Sequence, residues 1–135
     1  MLRVESLTKV YNVGFLSRKS IIAVDNVSFT VTRGEIISLV GESGSGKTTT
    51  AKIILRLLPP TSGSVIFEDR NVWALKRSEE LKWYWRNVHG VFQDPYSSFN
   101  PVRKIDRILY QTFNLFDKED MEKITKAGYI IALLV

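Results

Sequence analysis

The sequence predicts an α/β fold, and three observations carry that prediction. Residues 2–31 hold two stretches with strand-like alternation. A short, wholly apolar run, "EIISLV" at 35–40, is followed at once by the polar, glycine-rich "GESGSGKTTT". From Gly46 onward the apolar period changes from two residues to between three and four, the change from strand to helix.

Taken in order, "LRVESLTKVY" places Leu2, Val4, Ser6 or Leu7, and Val10 at near-strand spacing. "NVGFLSRKS" is polar and glycine-bearing and reads as a loop. In "IIAVDNVSFTVT", Val27, Phe29 and Val31 share one strand face, and Arg33-Gly34 makes a turn. "EIISLV" reads as a strand covered on both faces. Ala51, Ile54, Leu55 and Leu58 then fall at i, i+3, i+4 and i+7. Ile53 and Leu57 make that helix apolar on a second side, and Pro59-Pro60 stops it. "SVIFE" is a further strand. Leu81, Tyr84, Trp85 and Val88 fit a helix that buries Tyr84 and Trp85 and leaves Trp83 out. "VHGVFQ" reads as a strand entering a loop bracketed by Pro95 and Pro101, and Ile105, Ile108, Leu109, Phe113 and Phe116 suggest another helix.

The bulk properties bound the function. The 135 residues are 44% hydrophobic and 24% charged, a globular balance. A chain of this size buries roughly two thirds of its unfolded surface. There is no cysteine, which excludes a disulfide framework and thiolate metal sites. The net charge is +5 and the pI about 9.6, but "RSEELKWYWR" and "FDKEDMEK" mix both signs. That mixture reads as a solvated surface rather than as a nucleic-acid face. No segment reaches the ~20 apolar residues that span a bilayer, so direct membrane insertion is not expected.

Gly41, Glu42, Ser43, Gly44, Ser45, Gly46, Lys47 and Thr48 match G-x-x-x-x-G-K-[ST] at every fixed position. Successive backbone amides in such a loop can turn inward on an anion, because glycine admits the dihedrals and the close approach. The following helix adds the partial positive charge of its N-terminus. Lys47 supplies a full charge toward the outer phosphates, and the Thr48 hydroxyl is a hard oxygen suited to Mg²⁺.

The stretch "VDNVSFTVTRGEIISLVGESGSGKTTTAKIILRLLPPTSGSVIFE" resembles the opening of the nucleotide-binding subunit of ATP-binding cassette transporters. "VFQDPYSSFNP" resembles that family's glutamine-loop segment, and "DPYSSFNP" is similar to its dipeptide and oligopeptide importer branch. The resemblance covers about residues 1–110. It implies a partial P-loop NTPase core with an N-terminal antiparallel β subdomain. Residues 1–34 would be mainly that subdomain, 35–93 the core, and 94–135 the start of a helical subdomain. It implies ATP and Mg²⁺ as cofactors, with Tyr11 stacking on adenine, Thr49 adding an α-phosphate contact, and Gln93 reaching Mg²⁺ and the attacking water. It implies as partners membrane-spanning permease subunits, reached through 94–101, and a second ATP-binding subunit, at the cytoplasmic face of the membrane. No nucleic-acid partner is expected.

The family's "LSGGQ"-like signature, its Walker B carboxylates and its switch histidine are not found in this sequence. The expectation is therefore a chain that binds ATP without hydrolysing it alone. By the resemblance, the strands flanking "EIISLV" lie beyond residue 135. Glu68-Asp69 has the wrong order and place for a Walker B pair, and His89 precedes Gln93, so it is expected to be partly buried and structural. Two alternatives stay open at this level: a non-catalytic, nucleotide-dependent interaction module, and a DNA-associated ATPase of the same superfamily, against which "DPYSSFNP" argues.

Overall fold

A computed structural model describes residues 1–13 and 19–91. Gln93, the 94–101 segment and the helix expected after Pro101 lie outside the described residues. The chain divides into two compact units, Met1–Lys76 and Arg77–Val135.

In the first unit, β1 (Leu2–Val13) and β2 (Lys19–Val31) form a long antiparallel pair. β3 (Ser62–Phe67) pairs with the other edge of β1, and the two-residue β4 (Arg70–Asn71) pairs with β3. The sheet order is β2-β1-β3-β4. Glu68 and Asp69 join β3 to β4 with φ of 48° and 62°, the double left-handed geometry of a tight hairpin turn. That places this acidic pair in the antiparallel sheet, as its sequence context suggested. A 3₁₀ turn (Val72–Ala74) follows, its first amide turn closed by Asn71 Oδ1, which accepts from Trp73 N–H at 3.0 Å.

The β1–β2 register slips three times. Val4↔Phe29 is followed by Leu7↔Val27, so β1 carries an extra residue. Ser6 sits there at φ 47°, and its amide donates to Ser28 Oγ at 2.8 Å. Leu7↔Val27 is followed by Lys9↔Val24, so β2 carries one at Asn26, φ 48°, whose amide donates to Thr8 Oγ1 at 3.1 Å. At each of these two bulges the amide of the left-handed residue is satisfied by a cross-strand hydroxyl. The first bulge also settles the Ser6 or Leu7 ambiguity: it turns Leu7 onto the face of Leu2 and Val4, and all three are buried. Burying a leucine completely stabilises by about 2 kcal/mol. The third slip, between Lys9↔Val24 and Val10↔Ile22, leaves Ala23 as the extra residue of β2.

The helix after the glycine-rich loop, α1, runs Lys47–Ile54. Ala51, Ile53, Ile54 and Leu55 are buried, together with Val65 and Phe67 of β3. The helix stops before Pro59-Pro60. Arg56 takes a left-handed conformation, φ 62°, with Leu57 N–H donating to Lys52 O at 2.8 Å and Arg56 N–H to Ile53 O at 3.1 Å. These two bonds are those of a Schellman cap. Leu57, expected on the helix's second apolar side, is therefore past the helix end and 61% exposed.

"EIISLV" departs from expectation. Residues 35–40 are in no strand, and Ile36 and Val40 are 93% and 91% exposed. A strand needs a neighbour for its amides and carbonyls, and no described strand pairs with this run. In the second unit, α2 (Ser78–Asn87) begins with Glu80 Oε2 accepting from Arg77 N–H at 3.1 Å. Tyr84 and Val88 are buried, but Trp85 is 42% exposed and Trp83 half-buried. The buried stripe therefore follows i, i+4 from Tyr84, and Trp85 lies on its flank. His89 is exposed, contrary to the expected partial burial: Val88, the residue before it, takes the buried position after α2, and the next side chain along the extended backbone is left in solvent. Residues 88–90 form no regular element.

Candidate functional site

The glycine-rich loop leaves the exposed 35–40 run and ends on α1. Gly44 and Gly46 have φ of 83° and 90°, and Ser45 N–H donates to Glu42 O at 3.2 Å, closing a turn inside the loop. Gly46 is the N-cap of α1. A Cβ on Gly46 would collide with the carbonyl of Ala23 and press on Val24 Cγ2. The loop is thus seated on the bulged stretch of β2, and only glycine fits that seat. A Cβ on Gly41 would lie 2.6 Å from Ser45 Oγ, so the two ends of the loop are also close.

Lys47 turns back over the loop. Its ammonium donates to the carbonyls of Gly41 at 2.8 Å and Glu42 at 2.7 Å and to Ser45 Oγ at 3.2 Å. All three ammonium protons are engaged, and they gather residues 41–45 around one positive charge. Thr50 N–H makes the first internal bond of α1, to Gly46 O at 2.8 Å, so the amides of Lys47, Thr48 and Thr49 precede it. No side chain caps this end, and the first turn contains no acidic residue. Thr48 and residues 41–45 are exposed, Thr49 is half-buried, and Thr50 is buried. The structure therefore gathers Gly41, Glu42 and Ser45 around the Lys47 ammonium, next to the uncapped start of α1.

Tyr11 lies outside that loop, on β1, opposite Ile21 of β2. It is 38% exposed. Ile21 is two residues from Ala23, the residue against which Gly46 sits; strand geometry then puts the Tyr11 backbone about 8 Å from that of Ala23. The Lys9 ammonium lies over the Tyr11 ring, 5.4 Å from its centroid, and donates to Pro59 O at 2.7 Å. The sequence reading passed over Lys9; its place two residues before Tyr11, on the same strand face, was the available signal.

At the turn before the loop, Glu35 Oε2 accepts from the amide and the hydroxyl of Thr32, each at 2.7 Å. These bonds, the backbone one first, hold its carboxyl below the ordinary carboxylate range. Among the described residues no group of three or more His, Cys, Asp or Glu could hold a metal ion, and no described helix is long and apolar enough to cross a membrane.

Among solved structures, this fold is similar to a dimeric ATP-binding cassette in a post-hydrolysis state bound to ADP and Pi, with a TM-score of 0.68 at 25% identity over 93% of this chain and 55% of that one. It is likewise similar to a dimeric bacterial ABC transporter cassette, with a TM-score of 0.69 at 27% identity over 91% and 53%. The fold is that of a partial P-loop NTPase core joined to an antiparallel sheet. The ABC transporter family model matches residues 24–128. The chain is 42% identical over 121 residues to the probable peptide ABC transporter ATP-binding protein y4tS of Sinorhizobium fredii, covering 87% of this chain and 34% of that protein. It is 40% identical over 115 residues to a putative peptide import ATP-binding protein of Brucella ovis, covering 85% and 35%. To the oligopeptide transport ATP-binding protein AppF of Bacillus subtilis it is 36% identical over 112 residues, covering 82% and 34%. This chain belongs to the ABC transporter family. It spans about a third of the length of the curated relatives it matches.

Proposed function

We propose that this chain binds Mg-ATP through residues 41–49, as part of the energy-coupling subunit of a peptide importer. The observation that carries the proposal is the Lys47 ammonium drawn onto the carbonyls of Gly41 and Glu42 and the Ser45 hydroxyl, beside the uncapped start of α1. Neutral carbonyls are weaker acceptors than phosphate oxygens. A polyphosphate would therefore take the Lys47 donors from Gly41 and Glu42, and the amides of the loop and of Lys47 to Thr49 would wrap it. The exposed Thr48 hydroxyl suits Mg²⁺, which keeps most of its waters and needs few protein oxygens. Tyr11 would stack on the adenine, and its nearness to the Gly46 seat through Ile21 and Ala23 supports that role.

The names of the relatives support peptides as the transported class. Gln93 would orient the attacking water and share Mg²⁺. Residues 94–101 would contact permease subunits at the cytoplasmic face, and a second ATP-binding subunit would complete the site. Without a signature motif, Walker B carboxylates and a switch histidine, the isolated chain would bind without turnover: ground-state binding would remain while transition-state stabilisation is lost.

Titration of Mg-ATP into wild type and Lys47→Ala tests this. Binding by wild type and its loss in the variant is the expected result, and equal retention by both defeats the assignment. A second reading, a nucleotide-dependent interaction module, draws on the exposed Ile36 and Val40. It is separated by assaying hydrolysis with and without a full-length family subunit: turnover only in the mixture favours a coupling subunit, and ATP-dependent association without turnover favours the module.

A further inference from the structure

We propose that Lys9 is a positioning residue for the base: it backs one face of the Tyr11 ring so that the opposite face is held ready to stack. The proposal rests on the reading of Tyr11 given above.

A lysine on an exposed strand ordinarily samples many rotamers. The Lys9 head group has two contacts that restrict it. It donates to Pro59 O at 2.7 Å and stands 5.4 Å from the centroid of the Tyr11 ring. Lys9 and Tyr11 are two residues apart on β1, so their side chains leave the same face. The anchor is itself fixed. Thr61 N–H donates to Thr8 O at 2.9 Å, and Val10 N–H donates to Thr61 Oγ1 at 2.9 Å. Residues 8–10 of β1 are thereby stitched to 59–61, the segment that leaves the Schellman cap of α1. Tyr11 is thus connected to the helix of the phosphate loop twice: through Ile21 and Ala23 to Gly46 at its start, and through Lys9 to Pro59 after its end.

Two consequences follow for a base. A ring already held on one side loses less freedom when a planar ligand covers the other. A cation over one face also draws ring density toward itself, which favours an electron-rich purine on the far face. Neither effect touches the phosphates.

The test compares Mg-ATP with Mg-tripolyphosphate, which lacks the base, on the full chain. Lys9→Met, which keeps the aliphatic stem and removes the charge, is expected to weaken ATP about three- to tenfold while leaving tripolyphosphate unchanged. Lys9→Arg is expected to restore ATP binding. Should Lys9→Met not fold, Lys9→Gln is read in its place, with the same ATP-selective loss expected. Equal weakening of both ligands would make Lys9 a general electrostatic or structural residue and overturn the proposal, as would unchanged ATP affinity. Tyr11→Leu is run in parallel. If it leaves ATP affinity intact, the stacking role itself fails, a result distinct from a Lys9 effect that is absent while Tyr11→Leu weakens ATP.

Discussion

Gly46 sits against the carbonyl of Ala23 so closely that a single added methyl has nowhere to go. Its φ of 90° is, in addition, one that an L side chain resists. Gly46→Ala is therefore expected to cost at least ~2 kcal/mol of stability. Urea unfolding measures it. A change below about 0.5 kcal/mol would show that the loop does not depend on this seat.

Arg56 holds an unfavourable left-handed conformation while its guanidinium donates to Leu75 O at 2.7 Å and lies over the Trp73 ring at 5.5 Å. Arg56→Ala removes both contacts and keeps the strain, at an expected cost of about 1–2 kcal/mol. Arg56→Gly removes the contacts and the strain together, so it should be more stable than the alanine variant by about 1 kcal/mol. Thermal melts of the pair check the order.

Glu35 is bonded in its ionised form by Thr32, which lowers its folded pKa. A lowered folded value means that its contribution is present above the unfolded pKa and lost as pH falls through the folded one. Wild type should therefore exceed Glu35→Gln in stability at neutral pH, and the gap should close in acid below the ordinary carboxylate range. A gap that persists unchanged at pH 2 would contradict the assignment.

Ile36 and Val40 are almost wholly exposed. Replacing both with lysine should leave unfolding stability within about 0.5 kcal/mol of wild type. The same change should reduce self-association at high protein concentration, because the apolar, unladdered run is the kind of segment that recruits other chains. Sedimentation velocity of the two proteins decides it.

Tyr84 and Trp85 are neighbours with opposite environments. Tyr84→Ala should cost about 3–5 kcal/mol, in the range of large aromatic truncations in a core. Trp85→Ala should cost less than about 1 kcal/mol. Equal costs would place both rings in one core.

The elements that local pattern controls were legible in the sequence. The spacing of Leu2 and Val4, of Val27 and Phe29, and of Ala51 and Ile54 announced β1, β2 and α1, and the loop motif announced itself. What pattern could not supply was whatever depends on a partner or on a left-handed residue. "EIISLV" has the composition of a buried strand, yet composition does not provide the neighbour that would pair with it. Pro59 looked like the helix stop, but Arg56 had already ended the helix, and no propensity scale expects arginine at that dihedral. Trp85 fitted the helical stripe by count and missed it by angle. The three bulges left no mark in the hydrophobic period except the Ser6 or Leu7 ambiguity. Gln93 lies beyond the described residues, so its role stays a reading of "VFQDPYSSFNP".

The extra residue at Ala23 makes the length of β2 non-negotiable. Removing one residue there would abolish this slip, leaving those at Ser6 and Asn26, and in doing so invert the positions on one side of it. Either Val24 and Val27 would turn out to water, or Ile21 would leave the flank of Tyr11. Point substitutions along β2 can be absorbed one at a time; a frame-preserving deletion of a single codon cannot, which makes this small irregularity the least editable part of the hairpin.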